Sequence, residues 1–262
     1  SRGKAGTKNQ GDDEVKLFIS CNDHDTLLLF SDRGVAYALP AYRVPLSSRT
    51  AKGTPSVQLL PIPREEQITS LLSVESFEND FFLLMLTKGG FIKRTPLSAF
   101  SKIRSNGLIA ISLEEGDALT WVRSSSEGDS VLIGSSKGMT IHFRLDKNEL
   151  RPLGRTARGV KSMNLRDGDQ LVSMDVLTSE LVEQLSALNV KDIDANDESD
   201  DNLSEGPWVL VASSFGLGKR VPVTQFRLQK RAGMGLKAIK FRINNDVLVG
   251  LKVLGKGEEI LL

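Results

Sequence analysis

The sequence has one cysteine, two histidines and no long apolar run in its 262 residues. Cys21 cannot form a disulfide within the chain and has no cluster of metal ligands around it, which predicts a reducing compartment and a small buried side chain. No stretch approaches the roughly 18 apolar residues of a membrane helix, and no apolar signal segment follows Ser1. These absences argue against a secreted or membrane-spanning protein and predict a soluble one.

Signatures of catalysis are equally scarce. His24 and His142 have no serine or cysteine partner at a recognised spacing, so we interpret both as structural. Tyr37 falls in a predicted strand and Tyr42 in the loop after it, which makes them packing or surface residues. The chain has no glycine-rich phosphate loop opening a helix and no metal-ligand cluster. The sequence therefore predicts no catalytic residue, metal or cofactor within this domain.

The charge of the chain is segregated along its length. Its apolar fraction of 40% is enough for a folded core, and its net charge is only +1. Residues 178–206 hold nine acidic residues and one lysine, so this segment carries −8 and the rest of the chain +9. We predict a basic body that suits a polyanion, interrupted by a solvated, disordered insertion that begins with a short helix from Glu180 to Leu188. Its acidic spacing fits no EF-hand loop. Competition of the insertion for the basic surface is a further hypothesis.

A repeat of three landmarks decides the predicted architecture. The first is an apolar run, a polar turn with glycine and a second β-rich run, which is typical of a hairpin because glycine supplies the positive φ of a tight turn. The second is a basic residue, a short spacer, a glycine and a strand. The third is an acidic turn leading into a last strand. The turn glycines Gly34, Gly90, Gly138 and Gly216 are separated by 56, 48 and 78 residues, the last spacing being stretched by the insertion.

This period predicts an all-β propeller of four-stranded blades in a single domain, residues 1–262. The predicted units are a partial blade at 1–24, full blades at about 25–79, 80–128, 129–177 and 207–256, and the start of another at 257–262.

The repeats resemble the C-terminal domain of the DNA gyrase A subunit family, to which the C-terminal domain of the DNA-binding subunit of topoisomerase IV is related. Residues 11–177 and 207–262 carry the resemblance, and its most specific part is the stretch from Leu27 to Leu60. Two segments, at 91–96 and 218–223, are similar to the family pattern Gly-x-x-Lys-Arg-Thr. The resemblance implies a β-pinwheel, six-bladed if complete, in which neighbouring blades exchange strands and DNA wraps around a basic rim.

The family's gyrase-A box, Gln-Arg-Arg-Gly-Gly-x-Gly, is matched only in part at the start of the chain. Arg2, Gly3 and Gly6 fit, whereas Lys4 stands where glycine is expected and Ala5 where a basic residue is expected. This departure keeps topoisomerase IV-type DNA binding as an alternative to gyrase-type wrapping.

Wrapping requires many weak phosphate contacts on a curved surface, and basic loops repeated around a closed array would supply them. Glycine beside the basic residues would let the backbone approach a phosphate. No base-reading helix is evident, so we expect binding that is insensitive to sequence apart from deformability. The predicted DNA-binding residues are Arg2, Lys4, Arg49, Lys52, Arg104, Arg155, Arg158, Lys161, Lys230 and Arg231. Lys102, Lys137, Lys147 and Lys256 are interpreted as ordinary solvated residues.

The resemblance also implies partners. They are double-stranded DNA and the remainder of the gyrase A subunit, joined with the gyrase B subunit in a heterotetramer. The strand-cleaving tyrosine, ATP and Mg²⁺ would belong to other domains, and no membrane or small-molecule substrate is implied. The implied location is the cytoplasm or nucleoid of a bacterium, with a plant chloroplast or mitochondrion as the alternative. A propeller that binds proteins through its loops is the competing function.

Overall fold

The structure, a computed structural model, describes residues 16–48, 51–187 and 207–255. It confirms the prediction of an all-β fold, since strands dominate the described ranges and the helices in them are short. The predicted partial unit at 1–24, the predicted start of a unit at 257–262 and the acidic insertion lie wholly or partly outside these described residues. The first nine strands are β1 (Thr26–Ser31), β2 (Val35–Pro40), β3 (Ile68–Val74), β4 (Phe82–Thr87), β5 (Phe91–Pro96), β6 (Leu108–Ile109), β7 (Leu119–Ser125), β8 (Ser130–Ser135) and β9 (Met139–Arg144).

The remaining elements complete the fold. The later strands are β10 (Val160–Lys161), β11 (Leu171–Leu177), β12 (Trp208–Ser213), β13 (Gly218–Pro222), β14 (Leu236–Lys237) and β15 (Leu248–Leu254). The helices within the described residues are α1 (Ser56–Leu59) and α2 (Ser179–Ala187), and three short 3₁₀ turns there span Ala41–Arg43, Leu97–Phe100 and Val223–Gln225. The helix predicted at the start of the acidic insertion is thus present as α2.

Sheets and sequence repeats are out of phase. The strand orders are β3-β1-β2-β6, β10-β5-β4-β7, β11-β8-β9-β14 and β13-β12-β15. Each of the three four-stranded sheets takes three long strands from one repeat and a two-residue strand from the next repeat. The added strand pairs with the second hairpin strand, as in Val160 with Ile92. Neighbouring repeats are therefore linked by backbone hydrogen bonds as well as by side-chain packing.

The predicted hairpin turns are confirmed by their glycines. Gly34, Gly90, Gly138 and Gly216 all have φ between 75° and 90°. The left-handed region costs a residue with a Cβ about 1–2 kcal/mol, so glycine is strongly preferred there.

Aspartates of the acidic landmark stabilise the same hairpin turns by accepting hydrogen bonds from them. Asp169 Oδ2 accepts a hydrogen bond from Ser135 Oγ at 2.6 Å, and its Oδ1 accepts from Ser136 Oγ and the backbone N of Lys137, both at 2.9 Å. Burial opposes ionisation of Asp169, but these hydrogen bonds outweigh it and lower the pKa of the carboxyl below its ordinary value. Asp246 holds the fourth hairpin in the same way, through Ser214 Oγ at 2.9 Å and Phe215 N at 3.1 Å.

The core lies between the sheets, which explains why the first hairpin strands are almost continuously apolar. In β4, Leu83 and Met85 pack toward the first sheet, whereas Leu84 and Leu86 pack toward the third. Alternate side chains of a strand point to opposite faces, so a strand with two packed faces is apolar on both.

Strands β3, β7, β11 and β15 pack successively against one another at the shared centre of the sheets. The two-residue strands β6, β10 and β14 occupy the opposite, outer edge. The segment that precedes each outer strand, which carries the basic landmark, therefore lies on the rim.

Cys21 is exposed, so the prediction of a buried side chain was wrong. It precedes β1 in an irregular segment that packs less closely than the strands. None of the helices within the described ranges is long and apolar enough to cross a membrane.

Candidate nucleic-acid interface

The structure places seven of the ten predicted DNA-binding residues. Six of them lie within the outer strands or in the segments next to those strands, and the seventh, Lys52, lies before α1. Arg2, Lys4 and Arg49, together with Gly3 and Gly6, lie outside the described residues. The seven are Lys52, Arg104, Arg155, Arg158, Lys161, Lys230 and Arg231.

The glycines of the basic landmark have a different role from the one expected. A Cβ on Gly159 would lie 2.6 Å from the carbonyl oxygen of Ile92, and one on Gly235 would lie 2.5 Å from that of Thr140. These glycines therefore allow the chain to cross closely over the preceding sheet before it adds its outer strand. The close backbone approach is to a neighbouring sheet, which explains these glycines without a phosphate.

Arg155 and Arg231 each bridge two successive outer strands. Arg155 Nη1 donates to the carbonyl oxygen of Ile109 in β6 at 3.2 Å, and Arg231 Nη1 donates to that of Lys161 in β10 at 2.6 Å. Both arginines stand four residues before a glycine of the basic landmark, whereas Ile103 takes that place in the second repeat. Recurrence at this position thus has a structural reason that does not involve DNA.

Arg158 is engaged by the second repeat. Its guanidinium lies 4.4 Å from the centre of the Phe91 ring and forms an ion pair with Glu114. The two side chains of the ion pair are 49% and 51% exposed, so solvent screens the pair and it contributes little to stability. The charge of Arg158 remains accessible from the rim.

Four predicted residues are exposed cations that have no partner within the described part of the chain. Among the residues that the structure describes, the side-chain nitrogens of these four make no hydrogen bond or ion pair. They are Lys52, Arg104, Lys161 and Lys230. An unpaired, solvated ammonium or guanidinium can bind a phosphate without first breaking an internal bond.

A cleft of about 710 Å³ opens on the rim between the third and fourth repeats. Residues 145–155 are here called the rim loop, and the cleft is lined by its residues 147–151 and Leu153 together with Arg158 and Arg231. The rim loop contributes Lys147 and Arg151 to the cleft, and both are exposed. The carboxylate on the cleft lining is that of Glu149, and it is occupied, since it accepts a hydrogen bond from the backbone N of Arg231. The lining holds four basic side chains against this one carboxylate, so the cleft carries an excess of positive charge.

Sequence reasoning missed the two cations of the rim loop. Lys147 was assigned to ordinary solvated lysines and Arg151 was not singled out, because neither belongs to a recurring landmark. Their position between a hairpin and its basic landmark was the available signal.

Lys93 and Arg94 differ from every other basic pair in the described ranges, because they are fully buried in β5. Lys93 Nζ donates to the carbonyl oxygens of Gly154 at 2.9 Å and Arg155 at 2.6 Å. Burial, followed by the charge of Arg155, lowers the pKa of Lys93 to about 8. The corresponding pair in β13, Lys219 and Arg220, is exposed.

The ionisable residues considered for catalysis are either hydrogen-bonded within the fold or exposed at the surface. His142 is buried, with Nδ1 2.6 Å from the carbonyl oxygen of Phe226 and Nε2 2.8 Å from Ser130 Oγ. Burial lowers its pKa, although the bond to Phe226 opposes the shift. Tyr37 donates to Glu66 at 3.0 Å, and burial followed by that hydrogen bond raises its pKa to about 12. His24 and Tyr42 are exposed. Across the described residues, no group of three potential metal ligands occurs.

Comparison with known proteins identifies the relatives of this chain. It is 55% identical to the DNA gyrase A subunit of Synechocystis over all of this chain and 31% of that protein. It is 40% identical to the chloroplastic/mitochondrial DNA gyrase A subunit of Arabidopsis thaliana over 97% of this chain and 26% of that protein. The chain thus spans under a third of the length of these relatives.

Solved structures show the same fold. The crystal structure of the C-terminal domain of DNA topoisomerase IV matches with a TM-score of 0.69 and 25% identity, over 88% of this chain and 64% of that one. A DNA gyrase A C-terminal domain matches with a TM-score of 0.54 and 21% identity, over 94% and 89%.

A family model also matches each of the four repeats, at residues 25–75, 82–126, 129–178 and 207–254. These matches include the hairpin and the inner strand of every sheet, and they leave out most of the acidic insertion. On this evidence the chain belongs to the DNA gyrase C-terminal domain, beta-propeller family.

Proposed function

We propose that this chain binds double-stranded DNA along its outer rim and bends or wraps it there through phosphate contacts. The cleft beside the rim loop is the observation that carries the proposal. It brings Lys147, Arg151, Arg158 and Arg231 to one concave surface, and the acidic side chain on its lining, Glu149, is already hydrogen-bonded. The exposed cations Lys161 and Lys230 extend the positive surface along the same edge.

The proposed contacts are to the backbone of the duplex and carry no sequence information. Each neutralised phosphate releases counterions, so the logarithm of the binding constant should fall with the logarithm of salt concentration by about 0.9 per contact. The rim presents loops and two-residue strands, and neither inserts readily into a major groove. Selectivity would come from how easily a duplex bends.

We further propose that the domain is non-catalytic and works within a type II topoisomerase of the gyrase kind. It would present a DNA segment to the strand-passage core, formed by the rest of the A subunit together with the B subunit, while ATP and Mg²⁺ are used by other domains. The proposed site of action is the bacterial cytoplasm or nucleoid, or a plant chloroplast or mitochondrion. Similarity to the gyrase A subunit of Synechocystis and to that of Arabidopsis supports this pair of locations.

A salt titration of duplex binding tests the proposal. Arg151→Gln should weaken binding and reduce the salt slope by about 0.9, the loss of one phosphate contact. The matched control is Arg123→Gln, which removes the same charge from the inner strand β7. Affinity should also rise with duplex length if DNA follows the rim. Equal effects of the two variants would contradict rim binding, and no binding at low salt would favour a protein-binding propeller.

A further inference from the structure

We propose that Lys93 and Arg94 are positioning residues, which hold the rim loop of the following repeat in its DNA-binding shape without touching DNA. This inference rests on the proposed function. The two residues form the basic part of a motif that also occurs at Lys219 and Arg220, where both side chains are exposed. Because Lys93 and Arg94 are buried, their side chains make internal contacts that the exposed Lys219 and Arg220 do not make within the described residues.

The two side chains tether the rim loop at both ends and in its middle. Arg94 Nη1 donates to the carbonyl oxygen of Leu145 at 2.9 Å, and Arg94 Nε donates to that of Leu150 at 2.5 Å. Lys93 supplies the tethers at Gly154 and Arg155. Four carbonyl oxygens of an eleven-residue loop are thus held by two side chains of the preceding repeat.

Burial rules out direct phosphate contact in this structure. Lys93 and Arg94 are each 0% exposed, so DNA cannot reach them without opening the fold. Glu127 lies 2.8 Å from Arg94 Nη1 and compensates part of its charge, and the guanidinium lies 4.7 Å from the centre of the Phe82 ring. A buried cation is costly unless hydrogen bonds and charge satisfy it, so apolar side chains would serve a purely packing role better.

Strand register identifies the residues equivalent to Arg94 in the other repeats, and they differ in whether they can tether the next repeat. Arg94 pairs with Leu84, and the residues at the same place are Ala38, His142 and Arg220. His142 makes a shorter version of the tether, to the Phe226 carbonyl oxygen in the next repeat. Ala38 has no donor with which to make one. The rim loop, which is held by four such hydrogen bonds, is also the segment that carries Lys147, Arg151 and Arg155.

Hydrogen exchange and DNA binding test the inference together in the full 262-residue chain. Lys93→Met keeps the side-chain length but removes two tethers. We expect faster amide exchange across residues 145–155 and a fall in duplex affinity of about tenfold, within the range of coupling inside one hydrogen-bond network. Ile92→Val is the control, because it weakens the same strand's packing and leaves the tethers intact; its affinity should equal that of the wild type well below the unfolding temperature.

A double-mutant cycle separates positioning from every other role of Lys93. In a chain carrying Lys147→Gln and Arg151→Gln, Lys93→Met should still speed exchange in the rim loop but should lower affinity far less than in the wild type. An undiminished loss in that background, or unchanged exchange in the single variant, would overturn the inference. If Lys93→Met does not fold, Arg94→Lys keeps the charge and loses the span between Leu145 and Leu150.

Failure of the proposed function is distinguishable from failure of this inference. Wild-type protein that binds no duplex at low salt would remove the proposed function, and with it the claim that the tethers serve DNA binding. Rim binding that is retained, with loop exchange insensitive to Lys93→Met, would remove the positioning role alone.

Discussion

Replacing Gly159 by alanine should cost far more stability than a left-handed backbone alone explains. Its φ is 98°, and a Cβ would lie 2.6 Å from the carbonyl oxygen of Ile92. The conformation contributes about 1–2 kcal/mol of destabilisation. Displacing the backbone of the neighbouring sheet adds about 1–3 kcal/mol, the usual range for overpacking. The expected loss of about 2–5 kcal/mol is large against a total unfolding free energy of about 5–15 kcal/mol.

Gly116 is the matched control. Its φ is 79°, and no described atom lies within 4 Å of the position its Cβ would take, so Gly116→Ala should cost only the conformational part, about 1–2 kcal/mol. Urea unfolding followed by the fluorescence of Trp121 and Trp208 measures both variants. Because Gly159 leads directly into β10, its replacement should also weaken duplex binding. Equal destabilisation by the two substitutions would refute the crossing role assigned to Gly159.

Three further predictions concern charge. Asp169→Asn should destabilise the chain at pH 6, and the difference in unfolding free energy from wild type should shrink as pH falls below about 4. The reason is that the lowered pKa of Asp169 stabilises the fold at pH values above the pKa of this carboxyl in the unfolded chain, and that gain is lost when the folded chain is protonated. Urea unfolding between pH 3 and 6 checks this, and a constant difference would contradict it. The pKa of Lys93 is about 8 in the folded chain against an ordinary 10.5, so the folded chain loses this proton at a lower pH than the unfolded chain does. The unfolding free energy of the wild type should therefore rise between those two pH values, and that of Lys93→Met should not. Parallel stability curves for the two proteins would exclude that. Removing residues 188–205, which carry a net charge of −6, should tighten duplex binding at low salt. Unchanged affinity would contradict the hypothesis that the insertion competes with DNA for the basic surface. The cut is placed after α2 because Val182 is buried against the core of the fourth sheet, so deleting the helix would confound binding with stability.

Local backbone requirements were readable from the sequence. A glycine between two β-rich runs predicts a hairpin, because the φ that the turn needs is a property of that residue alone, and Gly34, Gly90 and Gly138 all adopt it. The first strand of each hairpin was also readable, since packing on both faces leaves a continuous apolar run such as β4.

Long-range partners were not readable in the same way. Lys93 and Arg94 look like surface cations in the sequence, and their burial depends on carbonyl oxygens of Leu145 to Arg155, about 50–60 residues later, that happen to face them. Gly159 is another case, because its lack of a Cβ becomes essential only once the Ile92 backbone lies beneath it. The cleft depends on Arg231 reaching a loop of the preceding repeat. Each depends on a tertiary contact, for which a single sequence contains no spacing rule.

Recurrence of a basic residue is therefore weaker evidence for DNA contact than it looks in the sequence. Arg155 and Arg231 recur at a position where each donates to the outer strand of the preceding repeat, so selection for the fold alone can account for them. Lys147 and Arg151 lie outside the basic landmark, yet they are exposed beside the cleft, and within the described residues their side-chain nitrogens make no hydrogen bond or ion pair. The recurring arginines of the landmark then set the distance between successive outer strands, and these two cations of the rim loop are the better candidates for phosphate binding.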